Sequence, residues 1–123
     1  MSRHVLLIED EQHIAEAISF ILGRDGWQVT HLSDGMTAEA AMKTGRPDLV
    51  ILDLMLPGRS GFEILAAIRA DAELSPMPVL MLTAKGQGRE RDEAERAGVD
   101  RFMAKPFSNA EMLAAVRDLA GGA

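Results

Sequence analysis

Five positions in this chain carry side chains able to do chemistry together: Glu9, Asp10, Asp53, Thr83 and Lys105. Each stands at the end of a short apolar run. VLLI at residues 5–8 precedes Glu9 and Asp10, LVIL at 49–52 precedes Asp53, VLML at 79–82 precedes Thr83, and RFMA at 101–104 precedes Lys105. If these runs are parallel strands, they all end on one edge, where three carboxylates, a hydroxyl and an amine then gather. Three ionised carboxylates at close quarters repel one another. A hard divalent cation, Mg2+ or Mn2+, relieves that repulsion, and Mg2+ takes a few carboxylate oxygens together with water and phosphate oxygens. The amine of Lys105 supplies a point charge for a phosphate, and Thr83 supplies a donor. A carboxylate nucleophile, a metal, a cation and a hydroxyl are the parts of phosphoryl transfer to an aspartate. That reaction depends mostly on positioning and charge neutralisation.

The elements that must position these groups are legible in the hydrophobic pattern. The runs at 5–8, 49–52 and 79–82 are unbroken, which suits strands buried on both faces of a parallel sheet. The run at 27–32 (WQVTHL) is mixed, which suits a strand near an edge. Between the runs lie helical spacings. Ile14, Ile18, Ile21 and Leu22 form one apolar face, predicted to end at Gly23. Ala38, Ala41 and Met42 form a weaker one, predicted to end at Gly45 with Pro47 beyond. Phe62, Leu65 and Ile68 form a third. A fourth segment, 87–97, is charged and contains no apolar residue larger than alanine. The last helix opens on a capping box, Ser108 to Glu111, and carries Met112, Leu113, Val116 and Leu119. Strand and helix alternate five times, which predicts an α/β domain with right-handed crossovers. Ligands of open α/β sheets bind at the carboxyl edge.

Composition narrows the functional classes. A chain of 123 residues suits one domain, so residues 1–123 are read as a single unit. Thirteen basic against 19 acidic residues leave a net charge of −6, unlike a surface built to contact nucleic acid or an anionic membrane. There is no cysteine, hence no disulfide framework and no thiolate chemistry. The N-terminal apolar run is too short for a signal peptide or a membrane span, which makes the cytoplasm the default location.

In VLLIEDE at the start, DLVILDLMLPGRSG at 48–61, VLMLTAKG at 79–86 and AGVDRFMAKPF at 97–107, the chain resembles the response-regulator receiver domains, the CheY-like family of two-component signalling. The resemblance covers essentially the whole chain. It implies a flavodoxin-like (βα)5 fold, doubly wound, with a five-stranded parallel sheet in the order 2-1-3-4-5. It implies a switch rather than an enzyme: Asp53 accepts a phosphoryl group from a sensor histidine kinase or phosphotransfer protein. The face of the fourth helix, fifth strand and fifth helix then reports to a downstream target. By the same resemblance Glu9, Asp10, Asp53 and the backbone carbonyl of Met55 hold the metal, with Asp10 the more direct ligand of the acidic pair. Thr83 and Phe102 are switch residues, Pro106 follows Lys105 through a cis bond, and the side chains of Met55 and Lys85 flank the path of the water that removes the phosphoryl group.

Taken singly, these residues have plainer readings. Glu9 and Asp10 suit a helix N-terminus, Thr83 a cap or strand, Lys105 a solvated surface, and Phe102 the core. Joint placement at the strand ends is what favours chemistry. Arg101 and Ala115 stand where many DNA-binding members carry Asp and Arg, which disfavours the symmetric dimer of that subgroup and leaves a monomer or weak dimer. Two other classes fit less well. A hydrolase working through an aspartyl phosphate requires an acid or base near its nucleophile, yet Met55 stands two residues after Asp53. A flavin carrier requires a loop that cradles phosphate after the first strand, whereas that loop here is Glu9-Asp10-Glu11.

Overall fold

The structure, a computed structural model, describes residues 3–83 and 88–120. The apolar runs form β1 (Arg3–Ile8), β2 (Trp27–Leu32), β3 (Leu49–Asp53), β4 (Val79–Thr83) and β5 (Arg101–Ala104). All pairings are parallel and the order is β2-β1-β3-β4-β5. Every residue of β3 and β4 is buried, because helices cover both faces of these central strands. Successive side chains alternate between two cores. Val5, Leu7, Leu49, Ile51, Leu80 and Leu82 face one, and Leu6, Ile8, Val50, Leu52, Val79 and Met81 face the other.

The first core is closed by α1 (Gln12–Arg24) and α5 (Asn109–Leu119), and the second by α2 (Ala38–Gly45), α3 (Gly61–Ala70) and α4 (Gly88–Ala97). The capping box of α5 forms as read, with Glu111 N donating to Ser108 Oγ at 3.0 Å and Ser108 N to Glu111 Oε1 at 2.9 Å. One helix end differs from the expectation. Helix α1 runs through Gly23 to Arg24, and the chain turns at Gly26, where φ is 91°. Helix α2 ends at Gly45 as expected, and Arg46 closes it in a left-handed conformation with φ 44°. The ring of Pro47 bars Arg46 from continuing the right-handed helix.

Helix α4 is weakly anchored along its length. Its only fully buried side chain is Ala94, whereas a buried Leu or Ile contributes about 1.5–3 kcal/mol. Its i, i+4 pairs, Arg91 with Glu95 and Asp92 with Arg96, are not closed into ion pairs among the described residues. Its C-terminal end is held firmly. Arg69 of α3 donates to Gly98 O at 2.8 Å, to Ser75 O at 2.8 Å, to Met77 O at 2.6 Å and to Asp100 Oδ2 at 2.8 Å. Asp100 Oδ2 also accepts from Val79 N at 2.8 Å. No described helix is long and apolar enough to cross a membrane.

Candidate functional site

Strand register brings the chemical residues together. Ile8 pairs with Leu52, Asp53 with Leu82, and Thr83 with Ala104, so Glu9, Asp53, Thr83 and Lys105 emerge along one edge. The ladder continues just past the strands: Glu9 N donates to Leu32 O at 3.0 Å, Leu54 N to Leu82 O at 2.8 Å, and Lys105 N to Thr83 O at 2.7 Å. The polar side chains are thereby held by sheet backbone rather than by free loops.

Glu9, Asp53 and Thr83 are the buried polar or charged residues of the described chain, and Asp10 is exposed. Carboxylate oxygens of Glu9, Asp10 and Asp53 lie within 4.8 Å of one another. Oxygens held about 2.1 Å from one ion stand at most about 4.2 Å apart, so small side-chain adjustments close the group around a hard cation. An all-oxygen donor set of this charge fits Mg2+.

Lys105 Nζ lies 3.0 and 3.3 Å from the two Glu9 oxygens and 3.4 Å from Asp53 Oδ2. Burial pushes the Glu9 carboxyl above its ordinary range, the hydrogen bond from Lys105 opposes that, and the Asp53 charge adds to it. Burial alone would lower the Lys105 ammonium, but its bond to Glu9 and the charges of Asp53 and Glu9 outweigh this and raise it. Glu9 is fixed further by Glu11 N donating to Oε1 at 3.1 Å and by a contact of 2.7 Å between His31 Nε2 and its backbone oxygen.

The Met55 side chain is 71% exposed, and its backbone N–H donates to Asp53 Oδ1 at 3.4 Å. Phe102 is half-buried against the core covered by α2, α3 and α4. The Lys105–Pro106 bond is cis. Lys85 lies outside the described residues. Arg101 pairs with Asp118 at 3.2 Å, and Ala115 is fully buried.

Several neighbours of the site escaped sequence reasoning. A second capping box, Ser60 with Glu63, starts α3, and its Ser-x-x-Glu spacing is visible in the sequence. Gly61 packs so closely that a Cβ would stand 2.5 Å from Asp53 O. Arg59 forms a two-pronged pair with Glu39, and this contact, like that of His31, has no local sequence signal.

A doubly wound parallel sheet with an acidic cluster, a lysine and a threonine on its carboxyl edge defines a phosphorylation-switch domain. The family model of the response regulator receiver domain matches residues 5–117, and the chain belongs to that family. Phosphorylation-dependent signalling in two-component systems is the family's role. Among curated relatives, the phosphate regulon transcriptional regulatory protein PhoB of Klebsiella pneumoniae is 36% identical over 117 residues, covering 95% of this chain and 51% of that protein. The chain spans about half the length of the curated relatives it matches. Among solved structures, chemotaxis protein CheY4 of Vibrio cholerae is 28% identical with a TM-score of 0.90, covering 97% of this chain and 99% of that one. The receiver domain of a sensor histidine kinase from Pseudomonas aeruginosa, with magnesium coordinated in its active-site cleft, is 29% identical with a TM-score of 0.90, covering 98% and 99%.

Proposed function

We propose that Asp53 of this chain is the phosphoacceptor, and that residues 1–123 work as one receiver unit. The observation that carries this is the cluster itself: Asp53, almost fully buried, stands beside two further carboxylates and within 3.4 Å of the Lys105 ammonium. Asp53 attacks the phosphorus of a phosphohistidine donor. A bond forms from an Asp53 carboxylate oxygen to phosphorus as the bond from phosphorus to the imidazole nitrogen breaks. Glu9, Asp10, Asp53 and the Met55 carbonyl hold Mg2+ or Mn2+, which supplies neutralisation of the phosphoryl charge. Lys105 swings from Glu9 toward the phosphoryl oxygens, Thr83 turns its hydroxyl to them, and Phe102 follows inward. Water later removes the group, past Met55 and Lys85.

The donor is a sensor histidine kinase or phosphotransfer protein. A groove of about 450 Å3 beside Lys105, lined mainly by apolar residues including Ile14, Ala17, Ile21, Pro106 and Phe107, offers such a partner a docking surface. The downstream target reads α4, β5 and α5. The Arg101–Asp118 pair and the buried Ala115 support a monomer or weak dimer on that face. We place the domain in the cytoplasm, without direct contact to nucleic acid or membrane.

Acetyl phosphate with Mg2+ should add one phosphoryl group to the protein, detected by intact mass, and should leave Asp53→Asn unlabelled. Equal labelling of that variant would overturn the assignment.

A further inference from the structure

The segment from Leu54 to Ser60 joins β3 to α3 and carries Met55, so its placement governs one side of the acidic cluster. Leu54 anchors its start, buried in the core with its N–H on Leu82 O, and Leu56 packs partly against the same core, but the backbone from Met55 to Arg59 has few ties of its own. Met55 N reaches Asp53 Oδ1 at 3.4 Å, a long contact, and Gly61 N donates to Leu54 O at 2.8 Å. The Ser60 capping box fixes only the far end, where α3 begins.

Arg59 makes the link to the neighbouring element. Its guanidinium donates through Nη1 to Glu39 Oε1 at 2.5 Å and through Nη2 to Glu39 Oε2 at 3.0 Å. Nη1 also donates to Gly35 O at 3.2 Å. Glu39 lies in the first turn of α2, where a negative charge is favoured. Gly35 belongs to the connection between β2 and α2. Three segments therefore meet on one guanidinium. Exposed ion pairs contribute little, but this one is two-pronged and half-buried, with side-chain exposures of 22% and 34%.

The surrounding packing is built for this contact. A Cβ at Gly35 would stand 2.3 Å from Ile64 Cδ1 and 3.4 Å from Arg59 Cβ, so the connection lies close against α3 and Arg59, and a side chain there would have to push the Ile64 terminal methyl aside. Met36, the next residue, lies against Gly58, where a Cβ would be 3.0 Å from its sulfur. Beyond Leu54 and Leu56, which the core holds, the segment is thus tied to the α2 side by one charged clamp.

We propose that Arg59 is a positioning residue for the metal and phosphoryl site, acting with Glu39 and Gly35 to hold the Leu54–Ser60 segment where the Met55 carbonyl completes the metal's ligands. This rests on the reading of Glu9, Asp10, Asp53 and Met55 as those ligands. Arg59 touches neither metal nor phosphoryl group. Its loss leaves the three carboxylates in place and frees the segment that bears the fourth ligand.

Titration calorimetry with Mg2+ tests this on the wild type, Arg59→Gln, Glu39→Gln and the double variant, alongside melting temperatures in chelator. Wild type should bind Mg2+. Each single variant should bind about tenfold more weakly, the lower end of what losing an outer partner of a metal ligand costs. The double variant should be no weaker than either single one, because both remove the same contact. The exchanged pair, Arg59→Glu with Glu39→Arg, should recover part of the affinity. A purely structural role would lower the melting temperatures and leave the affinities unchanged. Variants binding within twofold of wild type would overturn the clamp and leave the metal reading intact. A wild type that does not bind Mg2+ would overturn both.

Discussion

Lys105 grips both oxygens of Glu9, at 3.0 and 3.3 Å, more closely than it approaches Asp53, at 3.4 Å. In the unphosphorylated state the amine is thus committed mainly to a fully buried carboxylate. Removing it strands that charge. Lys105→Met should lose about 3 kcal/mol of stability at neutral pH without metal, the usual cost of leaving a buried charge unpaired. The pH dependence has a definite sign. Burial raises the Glu9 carboxyl above its ordinary value of 4.5, so the protonated form is the one favoured by folding. The stability Glu9 contributes is present below 4.5 and is lost as pH rises through its raised folded value. Lys105→Met should therefore recover stability relative to wild type as pH falls from 7 toward 5. Denaturant melts at several pH values check this; a constant difference between the two proteins would contradict it.

Mg2+ should stabilise the folded protein. Glu9, Asp10 and Asp53 crowd together, and an ion bound only by the folded state adds about 1.4 kcal/mol at ten times its dissociation constant. Thermal scans should show the midpoint rising with Mg2+ in wild type and much less in Asp10→Ala. A flat response in wild type would count against the metal site.

The phosphorylated form should be long-lived. The exposed Met55 thioether is poorly suited to orient an attacking water, and the resemblance places Lys85 on the other side of that water's path. Met55→Asn combined with Lys85→Glu should shorten the lifetime of the label, followed by intact mass after removal of donor. Unchanged decay would show that these side chains do not set the rate.

Helix α4 should exchange its amide hydrogens fastest among the helices. Ala94 is its only fully buried side chain, and a three-turn helix without tertiary support is marginal in water. Glu90 Oε1 is in addition buried without a hydrogen-bond partner among the described residues, a further cost. Amides of residues 88–97 should exchange well ahead of those in α1 and α5, and should slow when Asp53 is phosphorylated. Protection equal to that of α5 before phosphorylation would refute this.

The strands were legible because buried parallel strands read as uninterrupted Val, Ile and Leu, and Val5–Ile8 or Leu49–Leu52 has no competing helical period. The edge cluster followed from them, since parallel strands deliver their next residues to one side. Strand order did not follow: nothing local in β1 says that it lies between β2 and β3, and only the family resemblance supplied it. The end of α1 was misjudged by one residue, because Gly23 looked like the stop whereas the chain turns at Gly26, while Gly45 with Pro47 beyond did mark the end of α2. Contacts across long separations, such as Arg59 with Glu39 or His31 with the Glu9 backbone, depend on how loops meet in space and leave no periodic trace.

The four hydrogen bonds of Arg69 give α4 mechanical character. One end of the helix is pinned at Gly98 and Asp100, while its first turn lies on the carboxyl-edge side, where the chain leaves β4. Ten residues make a rod about 15 Å long, and a tilt of roughly 10° about the pinned end carries the far end through about 2.6 Å. Tilting in this way, the helix would act as a lever with its fulcrum away from the proposed phosphoryl site. Displacements at the free end become larger or smaller according to where along the rod a partner grips it, and no side chain of α4 larger than alanine has to slide within the apolar core for such a tilt.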